Sequence, residues 1–126
     1  MIQIRSLYSG ATTAQSVKDW FKEKRKEDLP VQVEDFIKHC EVAGVNWVGL
    51  FCMAILETGY FTSHIFKTKK NMFGLGAIDS DPLGGAASFQ DESAAILAGA
   101  QHLAVYAGVS GYKKKPHYEF ILQRMA

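Results

Sequence analysis

The stretch Trp47-Val-Gly-Leu-Phe-Cys-Met-Ala-Ile-Leu-Glu-Thr-Gly-Tyr60 decides how this chain folds. Residues 47–56 are apolar on every face of a helix, a pattern typical of a central buried helix, and Asn46 can cap its start. Glu57 follows immediately, and Gly59 supplies a turn. A carboxylate at this end of an apolar helix loses hydration and meets the negative end of the helix dipole, and both effects favour its protonated form. Glu57 is therefore a candidate general acid.

Upstream of this stretch, the spacing of apolar residues predicts two further helices. Thr12 or Thr13 can cap the first, which extends to about Glu27. The second spans residues 33–43, and Gly44 is expected to end it. The predicted buried side of this second helix consists of Val33, Phe36, Ile37, Cys40 and Val42.

Downstream, the pattern changes from helix to loop and back to helix. Ser88, with Asp91 three residues later, resembles a capping box and is expected to open a helix that extends to about Ala107. A last helix is predicted at 117–125. The prediction is a mainly α domain with one loop-rich region, residues 58–88, beside Glu57.

Length and charge limit the class of protein. The 126 residues suffice for one domain with a single core, so we expect one domain over 1–126, with residues 1–12 as an extended N-terminal arm. With 14 Lys and Arg against 13 Asp and Glu, the net charge of +1 argues against a nucleic-acid partner. No apolar run approaches the roughly 18 residues of a membrane span, so no membrane partner is expected. The first residues also lack the pattern of a secretory signal peptide.

The two cysteines, Cys40 and Cys52, fall in predicted helices and have no neighbouring Cys or His at metal-binding spacing. The sequence therefore predicts no zinc site. Two alternatives remain, buried thiols or a disulfide, and the core-like positions favour thiols.

Four motifs that occur in order resemble a known enzyme family. They are Leu56-Glu-Thr-Gly-Tyr60, Asn71-Met-Phe-Gly-Leu-Gly-Ala77, Gly85-Ala-Ala-Ser-Phe89 and Gln101-His-Leu-Ala-Val-Tyr-Ala107. Together they resemble the endo-β-N-acetylglucosaminidases of glycoside hydrolase family 73, in particular the catalytic domains of bacteriophage endolysins and bacterial autolysins. The resemblance implies a lysozyme-like helical domain with a loop-rich groove. It also implies hydrolysis of peptidoglycan between N-acetylglucosamine and N-acetylmuramic acid, at the bacterial cell wall, without a metal or a cofactor.

The same resemblance places Glu57 at the family's catalytic glutamate, which protonates the leaving glycosidic oxygen. Glycosidases commonly use a second carboxylate, about 5–5.5 Å or about 6.5–9.5 Å from the first. Asp79 and Asp81 lie in the loop expected to face Glu57, although an Asp in such a loop is also a common turn former. The substrate's own acetamido group can replace a protein nucleophile, so the second catalytic group stays open.

Candidates for binding the glycan are Tyr60, Asn71, Phe73, His102 and Tyr106. Asn71 is expected to shape the groove by hydrogen bonding, and Phe73 either packs under the sugar or belongs to the core. Tyrosine rings suit the C–H face of a sugar, with a satisfied core tyrosine as the alternative for Tyr106. His102 either lines the cleft or is a structural helix histidine.

The basic residues Lys67, Lys69 and Lys70 either attract the anionic cell wall or belong to a solvated loop. We expect a monomer whose partner is peptidoglycan, either as part of a larger protein or targeted by a separate wall-binding domain. Alternative functions are those of a muramidase, a lytic transglycosylase or an inactive peptidoglycan-binding module.

Overall fold

The computed structural model describes residues 12–75 and 87–108 of the chain. Over these ranges it forms helices and no strand, which confirms the mainly α class. The helices are α1 (Ala14–Arg25), α2 (Val33–Ala43), α3 (Trp47–Thr58), α4 (His64–Lys69) and α5 (Glu92–Tyr106). Most of the predicted arm at 1–12 and the predicted helix at 117–125 lie outside the described residues. No helix within these ranges has the length and apolarity required to cross a bilayer.

Local capping interactions set three helix boundaries where the sequence predicts them. The hydroxyl of Thr13 accepts a hydrogen bond from the backbone N–H of Ser16 at the start of α1. Gly44 ends α2 in the left-handed conformation, with φ of 75°. The side chain of Asn46 accepts from the backbone N–H of Gly49 and so opens α3.

The start of α5 differs from the prediction. The helix begins at Glu92, and its N-cap is Asp91, whose carboxylate accepts from the Ala94 N–H at 2.8 Å. Ser88 lies before the helix, since the backbone N–H of Phe89 donates instead to the carbonyl of Lys69. The sequence predicted Ser88 as the N-cap, and the structure places the N-cap three residues later, at Asp91.

The core lies where α3 packs against α2 and α5. One side of α3 is fully buried through Leu50, Phe51, Ala54 and Ile55. The opposite side is not, because the Met53 and Leu56 side chains are 38% and 62% exposed. The expectation that α3 is buried on every face is therefore wrong for one face. When the sequence of a helix is apolar on every face, it does not indicate which face lacks a neighbouring element.

Helix α2 makes its most extensive contacts with α5. The predicted buried side of α2 was wrong at Val42, whose side chain is 77% exposed. Ala43 is buried instead. At about 100° per residue, Val42 points away from Val33, so it belongs to the opposite face. A hydrogen bond of 2.9 Å between His39 Nε2 and Ser93 Oγ joins α2 to α5.

Both cysteines are free and buried, which confirms the prediction of thiols over a disulfide. Burial raises the pKa of the Cys40 thiol to about 12 and that of Cys52 to about 11. The two thiols therefore remain protonated near neutral pH and act as small core side chains.

Candidate active site

Glu57 lies in the last turn of α3, next to a tightly held chain reversal. Gly59, Tyr60 and Phe61 follow with φ of 55°, 61° and 65°, all in the left-handed region that bulky residues rarely adopt. Buried Thr58 supports this turn: its hydroxyl donates to the Ala54 carbonyl at 2.6 Å and accepts from the Phe61 N–H at 2.8 Å. The backbone around Glu57 is therefore fixed by the residue that follows it.

The Glu57 side chain itself is exposed to solvent, contrary to the expected loss of hydration. It shares the open side of α3 with Met53 and Leu56, which no other described helix covers.

A glycine lies directly beside the carboxylate. A Cβ atom at Gly74, which has φ of 65°, would be 3.9 Å from Oε2 of Glu57. The carboxylate therefore faces the loop 71–75 and remains accessible from solvent. This pairing could not be read from the sequence, although the glycine in the Asn71-Met-Phe-Gly-Leu motif signalled a close approach of some kind.

Asn71 builds this loop. Its side chain is buried, and its Nδ2 donates to the carbonyls of Leu75 and Ala87 at 2.8 and 3.0 Å. Its Oδ1 accepts from the backbone N–H groups of Phe73 and Leu75 at 3.2 and 3.1 Å. These bonds use both donors and both lone pairs of the amide. Asn71 thus shapes the loop through the backbone, and this geometry does not support a direct contact with a substrate.

The hydrogen bonds from Asn71 to Leu75 and Ala87 bring together the two ends of the segment between these residues. The Ala87 N–H donates to the Leu75 carbonyl at 2.8 Å, so Leu75 and Ala87 lie next to each other, beside Asn71. Asp79 and Asp81 belong to the segment between these ends and lie outside the described residues.

Phe73 packs on α5. Its ring lies so close to Gly99 that a Cβ atom there would be 2.3 Å from Cε2 of the ring. The half-buried ring also contacts the small cluster of Leu75, Ala87 and Ala98. Packing, one of the two alternatives considered for Phe73, accounts for its described contacts, while a sugar contact stays a prediction. Sequence reasoning did not connect Gly99 with Phe73, although a glycine inside a helical pattern is a signal of close packing.

Tyr60 contacts α1. Its ring stacks on Trp20, with centroids 6.3 Å apart, and the guanidinium of Arg25 lies 5.1 Å from its centroid. Tyr60 also lines a pocket of about 320 Å³ together with Arg25 and Lys67. These contacts account for its position after the turn, and a contact with a glycan stays a prediction.

His102 and Tyr106 lie one turn apart near the end of α5. Their ring centroids are 4.8 Å apart in an edge-to-face arrangement, and Tyr106 is 65% exposed. His102 is half-buried, and burial lowers the pKa of its imidazole. Because they follow Gly99 by three and seven residues, both lie near the side of α5 that carries Phe73.

The basic stretch is a helix rather than a loop. Ser63 caps α4 through the backbone N–H of Phe66, and Lys67 and Lys69 form its last turn. Lys70 follows with a left-handed backbone and forms an ion pair with Glu92 at 3.0 Å. A role of these lysines in attracting the cell wall stays a prediction.

Across residues 12–75 and 87–108, no group of three or more His, Cys, Asp or Glu side chains is arranged to hold a metal ion. The site that these ranges describe consists of one accessible carboxylate, a loop held by Asn71, and aromatic side chains on α5. No protein-family model, curated protein or solved structure matches the chain.

Proposed function

We propose that this protein is a peptidoglycan hydrolase of lysozyme-like architecture, in which Glu57 is the general acid. The bond cleaved is the β-1,4 bond between N-acetylglucosamine and N-acetylmuramic acid, and the site of action is the bacterial cell wall. The observation that carries the proposal is the Glu57 carboxylate, which lies in the last turn of α3, near Gly74, and is open to solvent. A polymer can reach an acid in this position. The choice of the cleaved bond rests on the resemblance of the four sequence motifs to glycoside hydrolase family 73.

In this reaction Glu57 donates a proton to the bridging oxygen as the bond to the anomeric carbon breaks. The glycan approaches along the open side of α3 and covers Met53 and Leu56, whose exposed apolar surface is then removed from water. Binding thus supplies the desolvation that the free protein lacks. The attacking group is a water activated by Asp79 or Asp81, or the acetamido oxygen of the substrate.

The first test compares wild type with Glu57→Gln on purified peptidoglycan, with the new reducing ends identified by mass spectrometry. Wild type should release N-acetylglucosamine reducing ends, and the variant should be slower by about 10²–10⁴-fold. Because Glu57 is exposed and its side chain makes no hydrogen bond or ion pair within residues 12–75 and 87–108, the variant should keep the wild-type melting temperature. Glu41→Gln, an equally conservative change at an exposed position of α2, is the matched control and should retain full activity.

The products separate this proposal from its rivals. Reducing-end N-acetylmuramic acid would identify a muramidase, and an anhydro-muramic end would identify a lytic transglycosylase. Binding of cell wall without any new ends would replace the enzyme with a binding module. If wild type and Glu57→Gln cut equally well, Glu57 would not be the acid.

A further inference from the structure

A serine and a histidine meet where α2 packs against the start of α5. The Ser93 Oγ lies 2.9 Å from Nε2 of His39, although the two residues are 54 positions apart in the chain. A hydroxyl within about 2.6–3.2 Å of an imidazole nitrogen has the arrangement of a nucleophile and its general base. The packing of these two helices therefore creates a pair of reactive groups that the reaction assigned to Glu57 does not use.

The histidine of this pair is suited to take up a proton. Burial is the largest cause that lowers the pKa of His39, and Lys38 lowers it too, whereas the charge of Asp35, one turn earlier in α2, raises it. The net change lowers the pKa, so the imidazole is neutral at pH 7 and has one unprotonated nitrogen. The tautomer with its proton on Nδ1 leaves Nε2 free to accept from the Ser93 hydroxyl.

Ser93 also lines a cavity. The cavity has a volume of about 210 Å³ and is lined by residues 30–32 and Asp35 on one side and by residues 91–93 on the other. Pockets that hold drug-sized ligands have volumes of about 300–1,000 Å³. This cavity therefore suits a short acyl chain better than a segment of polymer.

The charges of the lining limit the ligand further. Asp35, Asp91 and Glu92 all line the cavity. Lys70 pairs with Glu92 at 3.0 Å and Lys38 lies 3.9 Å from Asp35, so the negative charge is partly neutralised. The remaining charge disfavours an anionic ligand and leaves an uncharged one unaffected.

Backbone groups beside the serine can stabilise a negative oxygen. In the first turn of α5, the Ala94 N–H donates to the Asp91 carboxylate and the Ala95 N–H donates to the Asp91 carbonyl. The N–H groups of Glu92 and Ser93 belong to the same turn and have no acceptor within the helix. They lie next to the Ser93 side chain, where the oxyanion of an acyl-transfer reaction would form.

Esters fit this pair better than amides. Within residues 12–75 and 87–108, no carboxylate hydrogen-bonds to the His39 ring, so Asp35 acts on it through charge alone. The pair thus lacks the third hydrogen bond of a full triad. An alcohol leaves more readily than an amine, so its departure requires less assistance from the histidine.

We propose that Ser93 and His39 form a second hydrolytic site, which cleaves esters of short, uncharged acyl groups. As Ser93 Oγ bonds to the acyl carbon, its proton passes to His39 Nε2. The bond between the acyl carbon and the alcohol oxygen then breaks, and the alcohol leaves with that proton. Water next attacks the acyl-serine and gives a proton to His39, and Ser93 regains the proton as the carboxylic acid leaves. This activity does not depend on the one proposed for Glu57.

The test uses the full chain and two esters of similar length, 4-nitrophenyl butyrate and the anionic mono-4-nitrophenyl succinate. Absorbance follows the release of 4-nitrophenolate, and a fluorophosphonate reagent followed by peptide mass spectrometry locates the nucleophile. We expect the phosphonyl group on Ser93 and a burst of 4-nitrophenolate in the first turnover. The kcat/KM for the succinate ester should be at least about tenfold lower than for the butyrate ester, because the cavity carries negative charge.

Variants assign the reaction to the pair. Ser93→Ala and His39→Gln should each lower kcat/KM for 4-nitrophenyl butyrate by at least about 10²-fold. His39→Gln keeps a side chain that can hydrogen-bond to Ser93 and removes only the base, so it separates proton transfer from packing. Ser63→Ala and His64→Gln, at the start of α4, are the matched controls and should react as wild type does.

The absence of an adduct on Ser93, or a wild-type rate in Ser93→Ala or His39→Gln, would overturn the site. The hydrogen bond would then be a packing contact between α2 and α5. The adduct is measured on wild type, so it decides the matter even if a variant fails to fold, which its melting temperature would show. Equal rates for the two esters would overturn the assigned substrate class.

Discussion

The Phe73 ring rests on bare backbone at Gly99, and this contact joins the loop beside Glu57 to α5. We expect Gly99→Ala to lower the free energy of unfolding by about 1–3 kcal/mol, because a methyl group would overlap the ring and force it to move. This loss would occur even though alanine favours a helix over glycine by about 1 kcal/mol. Urea denaturation measures this change in the free energy of unfolding.

A second substitution shows whether the ring is the cause. In a Phe73→Leu background, where the ring is absent, Gly99→Ala should cost less than in wild type. An equal cost in both backgrounds would mean that the methyl group meets something other than Phe73.

At the scale of the element, the loop 71–75 depends on one side chain. Asn71→Ala removes four hydrogen bonds to backbone groups of Phe73, Leu75 and Ala87, each worth about 0.5–1.5 kcal/mol. We expect a loss of about 2–4 kcal/mol in the free energy of unfolding. Peptidoglycan cleavage should fall as well, because the loop that places Gly74 near Glu57 would lose its hydrogen bonds.

Asn46→Ala is the matched control for this prediction. It also removes an asparagine that bonds to backbone, but at the start of α3 rather than at its end. It should cost about 1 kcal/mol and leave the cleavage rate per folded molecule unchanged. If both variants lose the same share of activity, the loop held by Asn71 has no special relation to the site.

At the scale of the whole molecule, two partly buried histidines make stability depend on pH. Burial is the main cause that lowers the pKa of His39, which bonds to Ser93 across the α2–α5 interface, and it lowers that of His102. A lowered pKa in the folded protein means that the unfolded chain binds protons first as the pH falls. This contribution to stability is present above about pH 6.5, the histidine pKa in the unfolded chain. It is lost as the pH falls through the lower histidine pKa values of the folded protein.

We therefore expect the melting temperature to fall between pH 7.5 and pH 5.5, and to fall less steeply in His39→Gln than in wild type. Calorimetric melting at several pH values measures both slopes. Parallel slopes would show that His39 is equally easy to protonate in the folded and unfolded chains.

Much of the helical framework could be predicted because its signals are local. Thr13, Gly44 and Asn46 act on backbone groups within about three residues, so the sequence around each is sufficient to place a helix end. The start of α5 was predicted three residues too early, although its cap at Asp91 is also local, and the Phe89 N–H before it bonds to Lys69, which is distant in sequence.

The sequence by itself determined the helical class, the ends of α2 and α3, the buried thiols and the position of Glu57 at the end of an apolar helix. Only the tertiary structure decided that Glu57 and Leu56 face solvent, that Gly74 lies against the carboxylate, and that Phe73 rests on Gly99. The physical reason is the range of the interactions. Caps and helical periodicity act within a turn, whereas exposure and close packing depend on which distant segment covers a given face.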